Sequence, residues 1–261
     1  MKYQAVITDL DGTALDSPVE KVVSSRLKDA ITALELKGIK VCAATGRAQT
    51  FAKPVVDSMG LRHPVIISGG TRIIDPNSGE ELWSCGLSET QLRAVVEVLR
   101  PTDYGFLWND STEKDYLDGG WSIDTFTAYD STYFFEVCFV PHDEVQKLVK
   151  ELMESVDGIA VTVVNAQRPD TNDLHITNEA ATKEHAIYEL EKMINVSKDE
   201  MIGVGDGHND IHLFKAVSHK VAMGNAVQDL KDVADEVIGG VQQDGLAEYF
   251  EKIAKEVDNE V

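Results

Sequence analysis

The sequence predicts an α/β protein: a doubly wound, mostly parallel, Rossmann-like core with an α+β domain inserted into it. Three observations predict this. Short apolar, β-branched runs alternate with amphipathic helical stretches from the first residues to about residue 67. The same rhythm returns after about Leu174. Between the two, from about Ser88, strand-like and helix-like stretches mix without that alternation, and most of the tyrosines and two of the three tryptophans lie there. The expected division is a core of 1–82 and 172–261 and an inserted domain of 83–171.

The elements follow in order. Gln4 to Thr8 is a buried-strand run ending at Asp9. Ser17-Pro18 reads as an N-cap followed by proline at the first helical position. Val23, Leu27, Ala30, Ile31 and Leu34 then recur at helical spacing, with Gly38 as the stop. Ile39 to Ala44 is a second strand, Gln49 to Met59 a helix closed by Gly60, and Val65 to Ile67 a third strand. Ile73-Ile74 and Glu81 to Trp83 flank Asp75-Pro76-Asn77-Ser78-Gly79, which reads as a hairpin.

In the inserted region, Ser88-x-x-Gln91 is a capping box for a helix through Leu99. Phe106 to Asp118, Tyr133 to Val140 and Ile159 to Val164 are strand-like, and His142 to Met153 is helical. Beyond it come a helix over Glu179 to Met193, a strand over Met201 to Val204, and a loop and helix over Asp206 to Ala216. Two short strands follow at Lys220 to Met223 and Glu236 to Ile238. A last helix places Leu246, Phe250, Ile253 and Val257 on one face.

Composition narrows the function. The formal net charge of −21 argues against a nucleic-acid or anionic-membrane partner, since both need clustered Lys and Arg. Cys42, Cys85 and Cys138 are scattered and odd in number, which fits free thiols in a reducing compartment and excludes a Cys₄ metal site. With no long apolar run and no leader pattern, the expected location is cytoplasmic. The chain is read as a monomer or homodimer.

Ligands of an open parallel sheet sit at the carboxyl ends of its strands. Four polar clusters fall there: Asp9-Leu10-Asp11-Gly12-Thr13, Thr45-Gly46-Arg47, Ser68-Gly69-Gly70, and Gly205-Asp206-Gly207-His208-Asn209-Asp210. Lys183 falls in the first turns of a helix. Asp9 and Asp11, two residues apart beyond a strand, can point into one pocket, and Gly12 lets the chain turn and approach a ligand. Asp206 and Asp210 add two carboxylates, and an all-oxygen set suits Mg²⁺. Lys183 and Arg47 would then offset the charge of a bound phosphate, with Thr45 and nearby N–H groups on its oxygens. His208 and His212, four residues apart, offer a weaker zinc pair. Trp108, Trp121 and Tyr133 are expected in the core of the inserted domain, with contact to a substrate as the alternative.

These motifs resemble those of the haloacid dehalogenase (HAD) superfamily phosphatases, in the Cof-like branch with the larger (type IIB) cap. The D-x-D-G-T run, Thr45 with Gly46-Arg47, Lys183, and G-D-x-x-N-D over 205–210 occur in the family's order. The resemblance implies that Asp9 is a nucleophile forming an aspartyl-phosphate and that Asp11 is the acid and base. It implies that Asp9, the Asp11 backbone carbonyl and Asp206 hold Mg²⁺, with Asp210 acting through water or by orienting a ligand. Thr45 and Lys183 would bind the phosphoryl group, and Asn209 the phosphate or substrate. The inserted domain would be the cap, with the site between it and the core.

The implied function is hydrolysis of a small phosphate monoester, a sugar phosphate or related metabolite. A phosphomutase and a non-enzymatic phosphate-metabolite sensor are the alternatives. A dehalogenase would need neither Asp11 nor Mg²⁺. Two positions depart from the branch's pattern: Ser68-Gly69-Gly70 stands where Asn-Gly is usual, and Glu184 follows the motif lysine where Gly is usual.

Overall fold

The computed structural model describes residues 3–17, 19–109, 111, 113–129 and 132–259. Along the chain the strands and helices begin with β1 (Ala5–Thr8), α1 (Ser25–Leu36), β2 (Lys40–Ala43), α2 (Gln49–Met59), β3 (Val65–Ile67), β4 (Arg72–Ile74) and β5 (Glu81–Ser84). Next come α3 (Glu89–Leu99), β6 (Phe106–Trp108), α4 (Glu113–Leu117), β7 (Phe135–Pro141), α5 (His142–Ser155), β8 (Ile159–Asn165) and β9 (Thr171–Asn178). The chain closes with α6 (Lys183–Ile194), β10 (Met201–Gly205), α7 (Asp210–Lys215), β11 (His219–Ala222), α8 (Gln228–Lys231), β12 (Glu236–Val237) and α9 (Gly245–Asn259).

Two compact units result, one of 1–83 with 182–261 and one of 84–181. The return boundary thus falls after 181, not after the expected 171. The reason is β9, which pairs antiparallel with both β7 and β8 and so belongs to the sheet of the second unit.

The first unit is built on a parallel five-stranded sheet in the order β12-β11-β10-β1-β2. A parallel bridge from Ala44 to Ile66 carries β3 alongside β2, and β3, β4 and β5 form a small antiparallel sheet. The chain winds outward from β1 through β2 to β3, then returns to β10 on the other side of β1 and winds outward again. Parallel crossovers are right-handed as a rule, so winding in two opposite directions puts helices on both faces and makes the sheet doubly wound. Its strands are apolar because both faces are covered: all four residues of β1 and the last three of β2 are buried. Each fully buried Ile, Leu or Phe of this core contributes about 1.5–3 kcal/mol. The point where winding reverses lies between β1 and β10, whose register pairs Thr8 with Val204. Asp9 and Asp206 therefore leave the sheet at its ligand-binding edge.

Local capping corrects two boundaries. Helix α1 starts at Ser25, not at residue 18. Ser24 is its cap, accepting from Leu27 N at 3.1 Å, because it directly precedes the apolar-periodic residues. Ser17 instead accepts weakly from Val19 N, and Pro18 lies outside the described residues. Helix α6 starts at Lys183, after Glu179, because Thr182 caps it through His185 N. The stops at Gly38 and Gly60 are as read, both glycines having positive φ. In α9, Leu246, Phe250 and Ile253 are buried and Val257 packs partly against the same core.

The second unit is an antiparallel sheet in the order β6-β7-β9-β8. Phe106, Phe135, Val137, Leu174 and Ile176 on one face pack with Leu92, Val95 and Leu99 of α3 and with Leu148 and Leu152 of α5. Trp108 packs against this core and Tyr133 is buried, whereas Trp121 is about half exposed. The strand expected over 106–118 stops at Trp108, and α4 follows.

Candidate active site

Asp9 is the first residue beyond β1. Its N–H donates to Val204 O at 2.9 Å, so the nucleophile expected from the sequence is fixed by the sheet itself. The chain then coils tightly: the N–H groups of Thr13, Ala14 and Leu15 converge on Leu10 O. Gly12 makes this turn at φ +77°, and a Cβ there would lie 2.1 Å from Asp206 Oδ2. Thr13 Oγ1 donates to Asp206 Oδ1 at 2.9 Å. The D-x-D-G-T loop thus positions a carboxylate supplied from the far end of the chain.

Lys183, the first residue of α6, is 2% exposed. Its Nζ donates to Asp9 Oδ1 at 2.7 Å and to Asp210 Oδ1 at 2.6 Å. The other Asp210 oxygen accepts from the N–H groups of Asp206 and Gly207, both at 3.0 Å. Asp210 is fully buried at the start of α7, where the helix dipole favours its charge. Asp9, Lys183, Asp206 and Asp210 therefore form one cluster.

Charge is crowded here. Burial pushes the Asp9 carboxyl up to about 8; Lys183 opposes the shift, and Asp210 and Asp206 add to it. Burial also lifts Asp206 to about 6; its Thr13 hydrogen bond and Lys183 oppose this, and Asp210 and Asp11 add to it. Burial pulls the Lys183 ammonium down, and Asp210 and Asp9 more than reverse that. One ammonium faces three carboxylates, which offer ligand oxygens lying within 4.8 Å of one another. Such an oxygen-only set with excess negative charge fits a hard divalent cation.

Asp11 does not join this cluster through its carboxylate. Arg47 holds it, with Nη2 2.6 Å from Oδ1 and Nε 2.9 Å from Oδ2. Arg47 Nη1 also donates to Glu20 O and Phe51 O. The guanidinium, expected on a phosphate, is thus largely engaged within the protein. Thr45 is fully buried beyond β2, its Oγ1 accepting from Arg47 N at 3.1 Å, and Gly46 is exposed beside it. Asn209 is exposed at the entry to α7. The histidines stay apart: His208 faces Asp229 and His212 faces Glu184. Glu184 also accepts from Tyr188 OH within α6, so this departure serves the helix.

Ser68-Gly69-Gly70 lies against two of these elements. Ser68 N donates to Arg47 O and Gly69 N to Thr45 O. Gly70, at φ +108°, lies so close to α6 that a Cβ would be 2.3 Å from Thr182 C and 2.5 Å from Lys183 N. A side chain at Gly70 would push Lys183 away. In the sequence Thr13 and Gly70 stand inside polar clusters without a role of their own, and Asn225 is not singled out. Asn225 follows β11 by three residues; its Nδ2 donates to Gly12 O at 2.8 Å, and its Oδ1 accepts from Val241 N. The strand-end rule that exposed Asp9 and Asp206 applies equally to Asn225.

Gly12→Ala is expected to cost about 1–2 kcal/mol from the left-handed backbone alone. The larger effect is on Asp206, which has to move. A displacement near 1 Å at a reacting centre costs on the order of 100-fold in rate. Thermal melting beside steady-state kinetics checks both parts.

Fold and site together define a doubly wound α/β protein whose ligand edge is an acidic cluster around a buried lysine. The chain belongs to the haloacid dehalogenase-like hydrolase family, whose model matches residues 6–250. It is 26% identical to a 5-amino-6-(5-phospho-D-ribitylamino)uracil phosphatase of Bacillus subtilis, over 93% of this chain and 92% of that one. It is 24% identical to a phosphoglycolate phosphatase of Methanopyrus kandleri, over 97% and 98%. Its fold is that of a solved sugar phosphatase of HAD subclass IIB, with a TM-score of 0.74 at 20% identity over 96% and 98%. No helix among the described residues is long and apolar enough to cross a membrane.

Proposed function

We propose that the protein is a Mg²⁺-dependent phosphatase that hydrolyses small phosphate monoesters through an aspartyl-phosphate on Asp9. The observation that carries this reading is the Asp9 carboxylate at the β1 edge, bonded to a buried ammonium and flanked by Asp206 and Asp210. Family membership supports it, as do relatives named for phosphatase activity on a ribityl phosphate and on phosphoglycolate.

An Asp9 oxygen attacks phosphorus while the bond from phosphorus to the leaving oxygen breaks. Asp11, released from its ion pair with Arg47 and protonated, supplies the proton that the leaving alkoxide takes. Water then attacks the phosphorus of the aspartyl-phosphate, giving up a proton to Asp11, and inorganic phosphate and free Asp9 result. Lys183 and Thr45 hold the transferring group, and Asn209 contacts phosphate or substrate. Asp9, Asp206 and Asp210, with the Asp11 backbone carbonyl, would hold Mg²⁺, which supplies neutralisation of phosphoryl charge when bound. In this reading the 1–83 and 182–261 unit is catalytic and the 84–181 unit is the cap that sets which leaving alcohol is accepted. The substrate class is a sugar phosphate or a similar small metabolite.

The test is phosphate release from p-nitrophenyl phosphate. Turnover is expected with Mg²⁺ and is expected to vanish with EDTA and return on adding Mg²⁺ back. Metabolite binding without any turnover would favour a sensor and overturn the reading.

A further inference from the structure

Ser68 carries two costs at once. It sits in the left-handed region, at φ +50°, where a non-glycine residue is strained. Its side chain is also buried, with the residue 1% exposed, and Oγ has no hydrogen-bond partner among the described residues. Buried hydroxyls are nearly always paired, so an orphan asks for a missing partner.

The position of Ser68 indicates what that partner is. Ser68 follows β3, and β3 lies beside the end of β2, where Thr45 N donates to Ile66 O. Its own N–H and that of Gly69 are spent on Arg47 O and Thr45 O. Gly70 lies against the backbone of Thr182 and Lys183. Ser68 to Gly70 are therefore wedged between Thr45–Gly46–Arg47 on one side and the start of α6 on the other. The backbone of this loop thus adjoins the backbone of both Thr45 and Lys183, the two residues read as phosphoryl-binding. Thr71 Oγ1, the next hydroxyl along, is also buried without a partner among the described residues, so a bridging water between the two hydroxyls is the competing explanation.

We propose that the Ser68 hydroxyl is a further ligand contact of this site, donating a hydrogen bond to an oxygen of the bound phosphoryl group. This rests on the reading of Thr45 and Lys183 as phosphoryl-binding residues. A hydroxyl suits the task because it donates without adding charge, and a bond to an anionic oxygen is stronger than one to water.

The experiment compares the full-length protein with Ser68→Ala, in Mg²⁺, by thermal melting with and without inorganic phosphate and by phosphate inhibition of p-nitrophenyl phosphate hydrolysis. Ser68→Ala is expected to be at least as stable as the parent without phosphate, because an orphan hydroxyl is gone. It is expected to lose most of the stabilisation by phosphate and to bind it about tenfold or more weakly. Thr71→Val is expected to leave phosphate affinity unchanged. If Ser68→Ala binds phosphate like the parent, the hydroxyl serves a buried water and the proposal fails. Should alanine not tolerate φ +50°, Ser68→Gly gives the same comparison without backbone strain. A parent protein that neither binds phosphate nor hydrolyses the ester overturns the phosphatase reading, and the Ser68 assignment with it. Parental turnover with phosphate affinity unaltered in the variant overturns the Ser68 assignment alone.

Discussion

Asp9→Asn is expected to lower kcat by about 10⁴-fold or more while leaving the fold intact. The substitution is nearly isosteric. Its amide can still accept from Lys183 Nζ, which lies 2.7 Å from Oδ1 in the parent. The backbone bond from Asp9 N to Val204 O does not involve the side chain. The variant also removes one of three crowded carboxylates, so its stability without metal is expected to match or exceed that of the parent. Loss of activity with preserved melting separates a chemical role from a structural one. A variant that keeps near-parental turnover shows that Asp9 is not the nucleophile.

Lys183→Met carries the largest expected effect on stability. Its ammonium lies between Asp9 and Asp210, which are buried along with it. Removing one partner of a buried ionic network leaves uncompensated charge and costs about 3–5 kcal/mol. Asp9 and Asp210 can relieve this by taking up a proton, or by holding a cation more tightly. The destabilisation is therefore expected to shrink when Mg²⁺ is added, while phosphatase activity stays lost because a phosphoryl-binding charge is gone. Urea unfolding with and without Mg²⁺, beside kinetics on the same samples, reads both effects. A variant that melts like the parent in EDTA would contradict the picture of Lys183 as the charge that holds the cluster together.

Much of the core was legible in the sequence because both faces of its sheet are covered. Ala5–Thr8 and Met201–Gly205 are unbroken buried runs, and a polar residue just beyond such a run marks the ligand edge. Asp9, Thr45 and Asp206 stand at or just beyond such strand ends. Strand β9 was harder to read. Only Leu174 and Ile176 face the core of its antiparallel sheet, and the polar residues between them resemble a loop. The boundary of the inserted unit was misplaced for this reason.

Within the site, contacts between distant segments were not legible. Thr13 meets Asp206 and Lys183 meets Asp9 across 193 and 174 residues of chain. Arg47 was expected to meet a phosphate because a free guanidinium favours one, yet the fold supplies Asp11 as a bidentate partner first. Gly70 stands in the sequence only as part of the strand-end cluster Ser68-Gly69-Gly70, and only the packing of α6 shows that a backbone occupies the place of its side chain.

The most direct measurement is acid quenching of the protein during turnover of p-nitrophenyl phosphate with Mg²⁺, followed by peptide mass spectrometry. A phosphoryl group is expected on the peptide containing Asp9, absent in Asp9→Asn and lost on alkaline treatment as an acyl-phosphate is. Steady turnover with the phosphoryl group on another residue, or with no covalent intermediate when its breakdown is rate-limiting, would contradict it.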